Sequence, residues 1–165
     1  MTMGTRLLSE HLIKNRFPHI RYVRIHSQGK NTATIYAWNN DLDLPDKEIG
    51  SLKQFASGHL LPNVCFKVKS YNMVQNDKVP QVHELPAPIV QAAMNRSLDQ
   101  HGITAVMNRM FPYGSLTFDR YDSISGTIHF AFHANPPVND IEKERIRQYL
   151  YEVIPLGSAC EVAYC

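Results

Sequence analysis

Long apolar runs are missing from this chain: no stretch approaches the roughly 18 residues that a membrane helix requires. The opening "MTMGTRLLSEH" has no apolar core of the kind that marks a secretory signal. Cysteine is scarce. Cys65, Cys160 and Cys165 form an odd set with no CxxC spacing, which argues against a disulfide framework or a zinc knuckle and leaves ordinary thiols. The signatures that fix a chemistry are also absent. There is no GxSxG, no GxxxxGK[ST], no GxGxxG and no HExxH. Cys65 could be set beside His26 or His59 on paper as a nucleophile and base, but nothing in their spacing supports the pairing. The expectation is a cytoplasmic, non-enzymatic protein without metal or cofactor.

What is there is a globular mixture, 44% hydrophobic and 19% charged over 165 residues, enough for one ordinary domain or two small ones. The net charge of +2 hides a split: residues 1–78 carry 11 Lys/Arg against 6 Asp/Glu, and residues 79–165 carry 6 against 9. The halves can therefore attract each other or meet different partners.

The chain nearly repeats itself, with "NRFP" at Asn15–Pro18 and "NRMFP" at Asn108–Pro112. Phe17 and Phe111 lie 94 residues apart, Ile35 and Ile128 lie 93 apart, and so do Pro62 and Pro155. Constant spacing across the same element order points to internal duplication.

In the first copy, Thr5 to about Asn15 has helical spacing, with Leu8 and Leu12 on one face, and stops at Pro18. "IRYVRIHSQ", a turn at Gln28-Gly29-Lys30-Asn31 and "TATIYAW" read as a hairpin. Asp41 to Pro45 caps a helix running to about Gly58, with Ile49, Leu52, Phe55 and Ala56 on its apolar face, and "NVCFKVKSY" is a third strand. A proline-punctuated linker follows, then a bridging helix from Pro88 to about Gln100 that Gly102 would cap. The second copy runs through a helical piece Ile103–Met110, strands "SLTFDRY" and "TIHFAFHA", a helix and the strand "CEVAY". Asn139 and Glu142 start that helix, and Ile146, Tyr149, Leu150 and Val153 form its stripe.

The fold class is therefore α+β: two tandem αββαβ modules, each a three-stranded sheet with helices on one face, related by internal pseudo-symmetry. The boundaries are 1–74 for the first module, 75–102 for linker and bridge, and 103–165 for the second. The modules can join edge to edge into six strands or stack open face on open face. This element order resembles that of BON domains and of the ring-building modules in bacterial spore and secretion assemblies, although their glycine-rich patterns and export signals are lacking.

Alternation along the strands assigns faces. In the first module Val23, Ile25, Ala33, Ile35, Phe66 and Val68 turn to the helices. The opposite face then presents Tyr22, Arg24, His26, Tyr36, Trp38, Lys67, Lys69 and Tyr71, a basic and aromatic surface suited to binding another protein or to self-assembly. The alternative is single-stranded nucleic acid stacked on Tyr36 and Trp38. No RNP-like or GxxG pattern accompanies it, and a pI of about 8.4 is only mildly basic. In the second module Leu116, Phe118, Ile128, Phe130 and Phe132 take the core. Thr117, Asp119, Tyr121, His129, His133 and Glu161 take the open face. A third reading is a metal-dependent enzyme centred on Asp119, His129 and Glu161. His129 and His133, four apart on a strand, are about 13 Å distant and cannot share one ion. The favoured expectation is a small regulatory or assembly protein acting through the first module's face.

Overall fold

A computed structural model describes residues 4–60, 64–79 and 84–165. Pro62 and Pro80 lie outside them. The first module is α1 (Arg6–Arg16), β1 (Ile20–Gly29), β2 (Thr32–Asn39), α2 (Asp46–Phe55, continued by a wider turn Ala56–Leu60) and β3 (Cys65–Ser70). A short turn of helix, α3 (Met73–Asn76), and then α4 (Ala87–Ala93) connect it to the second module. That module is α5 (Gln100–Met110), β4 (Gly114–Asp122), β5 (Thr127–Ala134), α6 (Asp140–Val153) and β6 (Ala159–Tyr164). Each module holds its own three-stranded sheet, ordered β1-β2-β3 and β4-β5-β6, with an antiparallel hairpin and a parallel third strand.

The duplication extends to backbone detail. Phe17 and Phe111 each close their helix in nearly the same conformation, φ −124° and ψ 76° against φ −126° and ψ 69°. A proline follows each, which disfavours a further helical residue and turns the chain into the first strand. The asparagines of the echo do not correspond, because one extra residue separates them from Phe-Pro. Asn15 is exposed beside His11, whereas the Asn108 amide accepts from Leu116 N at 2.6 Å and donates to Leu116 O at 3.2 Å. The strand register also corrects one spacing. Ile35 pairs with Ile25 and Val68, and Phe130 with Phe118 and Val162, so the twin of Ile35 is Phe130 rather than Ile128. The slip is two residues, so every side chain keeps its expected face.

The core assignments hold: Val23, Ile25, Ala33, Ile35, Phe66 and Val68 are buried in one cluster, and Leu116, Ile128, Phe130 and Phe132 in the other. The bridging helix does not run from Pro88 to Gln100. It stops at Ala93, a turn follows, and Asp99 accepts from Gly102 N at 2.9 Å, so Gly102 sits in the first turn of α5 instead of ending a helix. Ile89, Ala93 and Leu98 belong to the second module's core.

Neither expected packing of the modules occurs. The sheets are separate, and the bodies lock through α1, α4, α6 and the loop before β6. Thr5 caps α1 by accepting from Leu8 N, and its hydroxyl donates to the Ala93 carbonyl at 2.6 Å. Arg6, 5% exposed, grips Glu152 of α6 through Nε and Nη2 at 2.9–3.3 Å and also pairs with Glu10. Ser27 accepts from Gly157 N at 2.7 Å, and Asn31 N donates to Gly157 O at 3.0 Å. A side chain at residue 157 would meet Asn31 Cα at 3.3 Å, and its φ of +86° favours glycine on conformational grounds as well. Leu156, from the second module's loop, is 2% exposed inside the first module's core.

Candidate functional site

The hairpin turn at Lys30-Asn31 has φ of 52° and 57°, the doubly positive turn whose twist suits a two-residue hairpin. It sets β1 against β2 so that Tyr22 faces Trp38, Arg24 faces Tyr36 and His26 faces Thr34. The eight expected residues therefore do share one side of the sheet, but that side is not open. After β3 the chain turns at Tyr71 into α3, and Asp77 just beyond it returns to this face.

Tyr36 is 1% exposed, and its hydroxyl donates to Asp77 Oδ2 at 2.7 Å. Lys69 Nζ donates to the same oxygen at 2.8 Å. Burial and then the bond to Asp77 push the Tyr36 phenol far above its ordinary pKa. The Asp77 carboxyl is held below the usual range by Lys69 and then Tyr36. Thr34, on the same face, is 1% exposed and bonds Gln28. The flat Tyr36–Trp38 platform anticipated for base stacking is thus not available: alternation names a face but says nothing of what lies over it.

Trp38 is half-buried, with its indole N–H donating to Ser70 Oγ at 2.8 Å. It joins Tyr22 and Tyr71 in a three-ring cluster with centroid separations of 6.1, 5.7 and 5.3 Å. Tyr22 is 36% exposed, and the Arg21 guanidinium lies 5.4 Å from its ring centroid. Lys67 is exposed. Among the described residues neither Arg21 nor Lys67 has a carboxylate within ion-pair distance. Arg21 was missed because a bulge between Ile20 and Tyr22 breaks the alternation there.

Arg24 and His26 lie at the outer edge of β1, where the sheet meets the second module. Both line a cavity of about 300 Å³ between β1, α6 and β6. The strand edge is capped here: Tyr151 Oη, from the cavity wall, accepts from Ser27 N at 2.9 Å, and Glu10 of α1 accepts from Ile25 N at 2.9 Å. His26 Nδ1 is 3.3 Å from Tyr151 Oη. Burial, then Arg24 and Arg6, lower the His26 pKa, so its imidazole is neutral at pH 7.

The second module's face differs again. A bulge places Asp119 between Phe118, opposite Phe130, and Arg120, opposite His129. Arg120 therefore takes the row expected for Asp119, and Tyr121 falls opposite Ile128 instead of on the open face. His129 and Glu161 do meet, 3.5 Å apart, while Asp119 lies beside Arg120. Among the described residues no group of three or more His, Cys, Asp or Glu is placed to hold an ion. The thiols are free, and burial pushes that of Cys160 up to about 11.

No protein-family model matches this chain, and no curated protein does. Among solved structures it is similar to the PrgH periplasmic domain at 13% identity and a TM-score of 0.34, over 95% of this chain and 68% of that one. A likeness this slight carries no argument about function. Among the described residues no helix is long and apolar enough to cross a membrane.

Proposed function

We infer that this is a small non-enzymatic regulatory or assembly protein of the cytoplasm, and that it binds an acidic segment of another protein across the Tyr22–Trp38–Tyr71 ridge. The observation that carries the reading is the ridge itself: three mutually packed rings, partly open to solvent, with the Arg21 guanidinium over Tyr22 and without an acidic partner among the described residues, and with the exposed Lys67, opposite Thr34, as a second such cation further along the same face. Trp, Tyr and Arg dominate interface energies because they bury large area at low entropic cost, and unpaired cations at the rim select an acidic partner. Internal contacts fix the rings beforehand, which lowers the ordering cost of docking. Three free thiols suit a reducing compartment.

The test replaces Tyr22 with p-benzoylphenylalanine and photocrosslinks in the native host. The expected product is one acidic protein attached at position 22, lost when Arg21→Glu and Lys67→Glu are added. Once that partner is in hand, Trp38→Ala should weaken binding by about 2 kcal/mol or more. A crosslink to nucleic acid, or protein crosslinks indifferent to the two charge reversals, would defeat the reading.

A further inference from the structure

A half-buried cation without a partner among the described residues faces the cavity between the modules. Three cations line that space, Arg6, Arg24 and Arg147, against one carboxylate, Glu152. Arg6 is consumed by Glu152 and Glu10, and Arg147 by Glu144. Arg24 is half-buried and has no hydrogen-bond or ion-pair partner among the described residues. A guanidinium partly withdrawn from water and left unpaired gains by meeting an anion. Gln28 and Gln148 also line the cleft with side-chain amides, and Leu85 and Ile154 supply an apolar wall. The volume is at the lower end of the range that holds small ligands, and apolar walls with a few fixed polar groups are the usual form of such sites. The site exists only in the joined molecule, since β1 contributes one wall and α6 and β6 the other.

We propose that this inter-module cleft binds a small organic anion, a carboxylate or phosphate ester on a compact apolar body, with Arg24 as the group that holds its charge. The depressed proton affinity of His26 agrees with a cationic interior, because Arg24 and Arg6 add to burial in lowering it. The neutral imidazole offers a further hydrogen bond without competing for the anion. The site is independent of the aromatic ridge, which lies on the sheet face nearer Tyr71.

The whole chain would be titrated by amide NMR with four probes: benzoate, phenyl phosphate, uncharged benzyl alcohol and inorganic phosphate. Expected are saturable shifts centred on Ser27, Gln28 and Ala159 with benzoate or phenyl phosphate, the stronger of the two naming the anionic group. Benzyl alcohol and inorganic phosphate should each bind about tenfold or more weakly, since one lacks the charge-assisted bond and the other the apolar body. Arg24→Gln should cost about tenfold or more for the better anion, while Trp38→Ala leaves it unchanged. Equal binding of benzyl alcohol, an Arg24→Gln protein that binds as well as the original, or no shifts with either aryl anion at millimolar concentration would overturn the proposal.

Discussion

The two modules have one topology and opposite sheet faces. In the first, the chain that leaves β3 passes through α3 and folds back so that Asp77 meets the hydroxyl of the buried Tyr36. In the second, Ser115, Thr117, His133, Glu161 and Ala163 stand exposed on the corresponding side. The cores differ in the same spirit. The first fully buries Leu156 from its neighbour, while the buried residues of the second come from its own strands and helices plus α4 and Leu98, with Leu7 of α1 packed against them only partly buried. Duplication supplied one framework, and the connecting segments made the copies unequal by deciding which surfaces are consumed internally.

The sharpest way to break this comparison is to separate the modules. Arg6→Ala leaves Glu152 and Glu10 without their counterion in a poorly solvated place, and should cost about 3–5 kcal/mol in chemical denaturation. A loss below about 1 kcal/mol would mean the modules hardly depend on that joint. Leu156→Ala tests the borrowed core. Removing a side chain that is 2% exposed should cost about 2–5 kcal/mol. The fluorescence of Trp38, the single tryptophan and a first-module residue, should report it although the mutation lies in the second half. An unmoved Trp38 transition would show the first module to be self-sufficient.

Asn108→Ala probes how the second module guards its own strand edge. It strips the amide that satisfies Leu116, a loss of about 1–2 kcal/mol by thermal melting. The equivalent guard in the first module is Glu10 on Ile25, placed by α1 instead of α5. The smallest expected effect concerns the cover. Asp77 titrates below the ordinary carboxylate range in the folded protein, so its stabilisation of α3 is present above pH of about 4 and is lost as pH falls through the folded value. Hydrogen exchange at Val74 to Asp77 should accelerate there, and Tyr36→Phe should speed it at pH 7 already. Protection that stays constant in both conditions would mean the cover rests on its apolar contacts alone.

Much of this architecture was legible in the sequence. Period-two alternation located every strand, and the Phe-Pro pairs marked the duplicated helix ends. The failures have specific causes. The helix after Pro88 was drawn too long because Asn95, Arg96 and Ser97 carry no proline or glycine to announce the turn they make. Asp119 was misassigned and Arg21 overlooked because a bulge shifts the phase by one residue and leaves no mark in composition. Tyr36 was expected at the surface because a polar ring on an alternating strand looks the same whether water or Asp77 meets its hydroxyl. The cleft was invisible to any reading of one module, since Arg24 and Tyr151 are 127 residues apart.

Local order is what the chain alone determined: helices, hairpins, core stripes and their repetition all follow from neighbours within a few residues, where steric preference and apolar spacing act directly. The tertiary structure decided which polar residues remain available, because burial of Tyr36, pairing of Arg6 and isolation of Arg24 depend on segments brought together from distant points. Charge and hydrogen bonding are settled by what is nearby in space, and only the folded chain sets those distances.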